Sequence, residues 1–248
     1  MVTILKKELR YFFGTFNGYL ISGAFVVIAA LFLWFFDNEY NVFNLGNASL
    51  SSFFFLAPWL LLFIVPAMTM RQLAEEKQMG TLDWLFAQAV NKHEIVLGKY
   101  FAVLILILFM LSCTLIFVYT TAYFSMGDGI DLGTVFSGYL GLFLLAALFA
   151  ALGMLVSTLA PNQVVAYVGS IIAGFILYYG FSGLASYNLL GQFDYFMQQI
   201  GSEFHYNGFV KGVIDTRDLL YFVLLIALVL WLAYFFILNK KPGASAEK

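Results

Sequence analysis

"RQLAEEKQMGTLDWLFAQAV", Arg71 to Val90, reads as water-soluble amphipathic helix. The twenty residues before it, "SSFFFLAPWLLLFIVPAMTM" (51–70), carry no charge at all, and "FAVLILILFMLSCTLIFVYT" (101–120) follows soon after. A polar island between two such runs sets the fold question.

The whole chain answers the first half of it. Its 248 residues are 62% hydrophobic, 19% aromatic and 10% charged. Soluble domains run at about 25% charged and 45–50% apolar residues. Six runs, near 18–36, 53–70, 98–124, 135–159, 163–186 and 218–238, are long enough to cross a bilayer. A hydrocarbon core of about 30 Å takes about 20 helical residues. The runs are apolar all round, whereas a spanning strand would alternate. The expected fold is an all-α membrane protein, one transmembrane domain over 1–248 with six transmembrane helices. The net charge of −2, with no dense basic patch, argues against nucleic acid. Cys113 is the only cysteine, so no intrachain disulfide can form, and it is expected as a small buried hydrophobe.

Lys and Arg set the orientation. Lys6, Lys7 and Arg10, then Arg71, Lys77, Lys92 and Lys99, then Lys240, Lys241 and Lys248 fall on one side of a six-span chain. The other side holds Lys211 and Arg217 against Asp37, Glu39, Asp128, Asp131, Asp194, Glu203, Asp215 and Asp218. Both termini and the 71–99 segment are therefore expected in the cytoplasm. No clear small-residue cleavage site follows the first long run, so a cleaved signal peptide is not expected. In "VTILKKELRYFF" (2–13), Leu5, Leu9, Phe12 and Phe13 form an apolar stripe beside Lys6, Lys7 and Arg10. This fits an in-plane interfacial helix, or else a charged flank that only orients span one.

The cores of the six runs contain no Asp, Glu, Lys, Arg or His. Pumps, ion-coupled transporters and voltage sensors usually keep such groups at membrane depth. His93 and His205 fall on opposite sides, so they cannot share a metal or a catalytic arrangement, and no phosphate-binding glycine loop is present. No catalytic, cofactor or metal site can be assembled, and the chain is not expected to be an enzyme. Small residues recur four apart at Ala146 and Ala150, Ala147 and Ala151, and Ser170 and Gly174, the spacing of close helix packing within the chain or across a dimer. Pro58 and Pro66 are expected to kink span two, as a moving part or as a static bend.

Within the polar island, Gly80 is expected to break the helix leaving span two. Leu82, Leu85, Phe86, Ala89 and Val90 then fall on one face, with Asp83 in the first turn, predicting a short helix over 81–90. Asn91 with Glu94 three residues on suggests a capped start to the next helix. Two readings fit this segment: a loop helix packed on its own spans, or a handle for a cytoplasmic partner.

"EEKQMGTLDWLFAQAVNKHEIVLGKY" (75–100) resembles the cytoplasmic signature of type-2 ABC exporter permeases: acidic residues, a Gly-Thr-Leu core, a short helix, a capped start and a Gly-Lys pair. The matching positions are Glu75, Glu76, Gly80, Thr81, Leu82, Asp83, Gly98 and Lys99. The resemblance extends over the chain and implies that a separate ABC ATPase subunit grips this segment through Glu75, Glu76, Gly80, Thr81, Leu82, Asp83, Leu85 and Phe86. ATP would be bound by that partner, and this chain would need no cofactor. It also implies a second permease copy, or a related permease, across the translocation path. "EFHYNGFVKGVIDTRDLLYF" (203–222) is similar to the stretch before span six in the gliding-motility and nitrous-oxide-reductase-maturation branches, and the chain as a whole looks most like the former.

In 187–217, Leu189, Phe193, Phe196, Met197, Ile200 and Phe204 make a helical apolar stripe, with Gln192, Gln198, Gln199 and Glu203 opposite. An outer amphipathic helix is expected, capping the path, with His205 beside it, or else a loop resting on the membrane. The acidic outer face could receive an accessory protein. A non-transporting anchor or assembly platform for a motility or secretion machine stays open beside the exporter reading.

Overall fold

The computed structural model describes residues 1–42, 49–80, 92–125, 130–187 and 191–238. Among these the chain is helical with no strand, and six helices are long and apolar enough to cross a membrane. They are Phe16–Phe35, Ser51–Gln78, His93–Phe124, Leu132–Leu159, Gln163–Ala185 and Thr216–Leu238. Spans two and three reach further than their apolar runs, because polar helix continues each one.

Span four is the central element. It is 67% buried within the bundle and span two 61%, while spans five and six are each only 22% buried and line the outside. Lipid tails are as apolar as leucine, so helices in a bilayer associate by fit and by polar bonds. Span four achieves the fit with small residues. A Cβ at Gly138 would meet the Phe54 ring at 2.5 Å, and one at Gly141 would meet Phe209 at 2.6 Å. A Cβ at Gly153 would collide with Thr69. Ala146, Ala147, Ala150, Ala151, Ser170 and Gly174 are all buried, and a Cβ at Gly174 would meet Leu62 and Phe149. The small residues read from the sequence therefore pack inside this chain.

Span four is capped at both ends. Asp131 accepts from the Thr134 hydroxyl at 2.6 Å and from the Gly133 N–H at 2.9 Å, and these bonds hold its carboxyl below the usual carboxylate range. At the far end, the Lys77 ammonium donates to the carbonyls of Ala160 (2.9 Å) and Leu159 (3.3 Å). A cation there meets the negative end of the helix dipole.

The sequence reading needs several corrections. Spans one and five each contain a π-helical turn, Leu31–Phe35 and Ile176–Gly180. Cys113 is exposed on the outside of the bundle, because with Ser112 it lies on an open face of span three while Leu111 and Thr114 on either side turn inward. The outer stretch forms two helices, Gln192–Ile200 and Ser202–Val210, broken where Gly201 turns extended (φ −70°, ψ 136°). The expected single stripe does not survive that break. Phe196, Ile200 and Phe204 are exposed, Met197 is half-buried, and the side chain of Phe193 lies outside the described residues. Ser202, Tyr206, Phe209 and Val210 form the buried face instead.

Candidate coupling site

Span two ends as a regular helix at Thr69 and turns through 70–73 into the short helix Ala74–Gln78. Gly80 then sits at φ +68°, the left-handed conformation that stops a helix and favours glycine, as expected for a break there. Thr81, Leu82, Asp83, Leu85 and Phe86, with the helix expected over 81–90 and the cap expected at Asn91, lie outside the described residues. What the structure does describe is how the lead-in to that segment is held.

Lys99 is the centre of the hold. Its ammonium donates to the Gln72 carbonyl at 2.6 Å, to Glu76 Oε1 at 2.9 Å and to Glu8 Oε1 at 3.0 Å. The Lys99 side chain is only 3% exposed. Taking a charge out of water costs several kcal/mol unless partners and hydrogen bonds replace the water, and here three acceptors do. One cation thus joins the N-terminal helix Val2–Gly14, the lead-in to the polar island and span three. Gly98 supplies the space: a Cβ there would meet Ile4 at 3.2 Å, so a larger residue would push the N-terminal helix away.

Two further ties surround the junction. Arg71 forms a two-pronged pair with Glu75, at 2.7 and 2.9 Å, and its guanidinium lies 5.0 Å from the centre of the Tyr11 ring on the N-terminal helix. The Ser157 hydroxyl of span four accepts from the N–H groups of Leu73 (3.1 Å) and Ala74 (3.0 Å) and donates to the Met70 carbonyl. These are backbone groups of the turn that lack helical partners. A crevice of about 380 Å³, lined by Glu8, Tyr11, Arg71, Glu75 and Lys99 among others, separates the N-terminal helix from the lead-in.

Of the residues expected to touch a partner, Glu75 and Glu76 are thus both engaged within the chain, while Gly80 is exposed at the end of the described lead-in. The sequence reading missed Glu8 and Gln72 and took Lys99 only as part of a signature. The available signal was Glu8, a single acid in a basic helix, beside a lysine that opens an apolar run.

The opposite, acidic end has its own ties. Pro58 and Pro66 both lie inside the helix Ser51–Thr69 and are buried. Proline has no N–H, so Pro58 leaves the Phe54 carbonyl without its helical donor. The Tyr206 hydroxyl, from the second outer helix, donates to that carbonyl at 2.7 Å. Burial pushes the Tyr206 phenol well above its ordinary value, so it stays a neutral donor. His205 does not stand in solvent. Its Nδ1 lies 2.7 Å from Asp218 Oδ1, its Nε2 lies 2.9 Å from the Gln199 carbonyl, and its ring stacks on Tyr221 at 3.9 Å. The outer helices are therefore fastened to span two through Tyr206 and to span six through His205.

A bundle of six apolar helices, with polar segments held in ion pairs at one end and fastened outer helices at the other, defines a multi-pass, all-helical membrane protein. The chain belongs to the ABC-2 transporter family: the family described as "ABC-2 family transporter protein" matches residues 37–239. No curated protein matches it. The family is the membrane component of ABC transporters, with the ATPase in a separate subunit, so a cytoplasmic ABC ATPase and the bilayer are the partners this membership implies. The matched range contains Gln72, Glu76 and Lys99 but not Glu8.

Proposed function

We propose that the chain is the permease subunit of an ATP-driven type-2 exporter of the gliding-motility type. It works in a bacterial inner membrane with both termini in the cytoplasm, paired with a second copy or a related permease. An accessory protein docks on its acidic outer face. The Lys99 junction is the observation that carries this reading. The lead-in to the polar island is bonded to the N-terminal helix, to span three and, through Ser157 and Lys77, to span four. Buried polar bonds at low dielectric are stiff. A pull applied beyond Gly80 by an ATPase would therefore reach three elements together rather than bend a loop. The side with the lysines and arginines supports the orientation, and the resemblance of 203–222 supports the gliding-motility branch.

The test is co-expression with the ABC ATPase encoded nearest to this chain, followed by extraction in mild detergent. The expected result is co-elution, with ATP turnover that depends on the permease. In Glu76→Gln the ATPase should still bind, but its turnover should lose that dependence. A folded chain that binds no ATPase would overturn the reading and favour a non-transporting platform.

A further inference from the structure

At the acidic end, a cavity of about 410 Å³ opens between span two, span five and the second outer helix. That volume lies within the range of about 300–1,000 Å³ usual for small-molecule sites. Among the described residues its lining contains two carboxylates, Glu39 and Glu203, and no Lys, Arg or His. Walls of low dielectric focus such a charge into the cavity.

Tyr40, Phe55, Trp59 and Tyr178 make an aromatic side of the wall, and Ser51, Ser52 and Asn207 complete the lining. Trp59 and Tyr178 stand 5.7 Å apart with their planes at 87°, and Tyr40 lies beside them in the lining. The contact is edge-to-face and both rings border the cavity, where a ring face left open attracts a cation. Tyr178 belongs to the π-helical turn of span five, a distortion often found where a helix serves a site.

Glu203 is the decisive residue. Its Oε2 is buried with no hydrogen-bond partner. Burial raises its carboxyl above the usual range. A buried carboxylate oxygen without a donor is costly, and a positive ligand would remove that cost. A metal ion fits poorly. No group of three or more His, Cys, Asp or Glu that could hold one exists among the described residues, and a hard, strongly hydrated cation gains little from the aromatic side of the wall. A substituted ammonium ion is large and weakly hydrated, and it binds to ring faces and to carboxylates alike.

We propose that this cavity binds a substituted ammonium group, with Glu203 and Glu39 neutralising the charge and Trp59 and Tyr178 packing against its alkyl shell. A free choline-like amine and the headgroup of a zwitterionic lipid present the same chemistry. The site stands whether or not the chain transports anything.

The experiment uses the full chain in discs of phosphatidylglycerol and radiolabelled choline in equilibrium dialysis. Saturable binding is expected. The uncharged isostere 3,3-dimethylbutanol should compete at least about tenfold more weakly, the scale of a desolvated cation–ring contact. Glu203→Gln keeps the side chain's size and removes a half-buried charge, so it should fold and still bind choline about tenfold less tightly. Trp59→Leu should weaken binding similarly. Absence of saturable binding, equal competition by the isostere, or unchanged binding by folded Glu203→Gln would each overturn the proposal. Repeating the dialysis in phosphatidylcholine discs separates the sources. Suppressed choline binding assigns the site to a lipid headgroup, and unchanged binding assigns it to a soluble amine.

Discussion

Tyr206 and Phe54 lie 152 residues apart in the chain and are joined by one 2.7 Å hydrogen bond, from a phenol to a backbone carbonyl that Pro58 has deprived of its helical donor. The proline that looks like a hinge in the sequence thus creates an acceptor, and the outer helix occupies it. Tyr206→Phe keeps the ring and removes only that donor. The expected loss is about 0.5–2 kcal/mol, the range for a buried polar bond and an unmet carbonyl in a membrane bundle. Thermal unfolding in detergent checks it, and a variant melting with the wild type would show that the bond contributes nothing.

Lys99 predicts a larger effect. Removing one partner from a buried ion cluster costs about 3–5 kcal/mol, because the others are left uncompensated. Lys99→Met should therefore purify poorly or melt well below the wild type. Adding Glu8→Gln and Glu76→Gln to Lys99→Met should recover much of the loss, since neutral partners need no counter-charge. If the triple variant is no better than the single one, the damage comes from lost packing rather than from unpaired carboxylates.

Gly138 tests the packing of span four. Gly138→Ala places a methyl against the Phe54 ring, where the nearest ring atoms are 2.5, 2.6 and 2.8 Å from the new Cβ. Overpacking of this kind costs about 1–3 kcal/mol. Phe54→Leu removes those ring atoms, so it should cost less in the Gly138→Ala background than in the wild type. Strictly additive losses in a double-mutant cycle would deny the contact.

Glu203 gives a pH dependence whose sign follows from its environment. Its folded carboxyl titrates above the ordinary value of 4.5, chiefly because burial disfavours the charge. The folded state therefore holds the proton more tightly than the unfolded chain. That stability is fully present below about pH 4.5 and is lost as pH rises through the raised folded value. Glu203→Gln should remove this fall, melting above the wild type at neutral pH and nearer to it in acid. A constant difference across that window would show that ionisation of Glu203 is not the cause.

Much of this was legible in the chain. Six long apolar runs can only be helices in a bilayer, because no other backbone satisfies its own polar groups there without a closed barrel. The small residues at 146–151 and the stop at Gly80 also stood out, since they depend on local spacing and on one residue type. The segment expected to face a partner was legible only through resemblance, and five of its expected residues lie outside the described structure.

The rest depended on distance in three dimensions. Nothing local shows that Glu8 and Gln72 converge on Lys99, that Pro58 serves Tyr206, or that His205 bridges Gln199 and Asp218. The outer stretch shows a related limit. Periodicity assumes an unbroken helix, and Gly201 interrupts it, so Phe204 is separated from the helix of Phe196 and Ile200, and the second helix buries Tyr206 and Phe209. The sequence by itself determined what must lie in lipid, because hydropathy is a sum over neighbours along the chain. Tertiary structure alone decided which polar groups meet, because a buried charge or an orphaned carbonyl is satisfied by whatever packing brings to it.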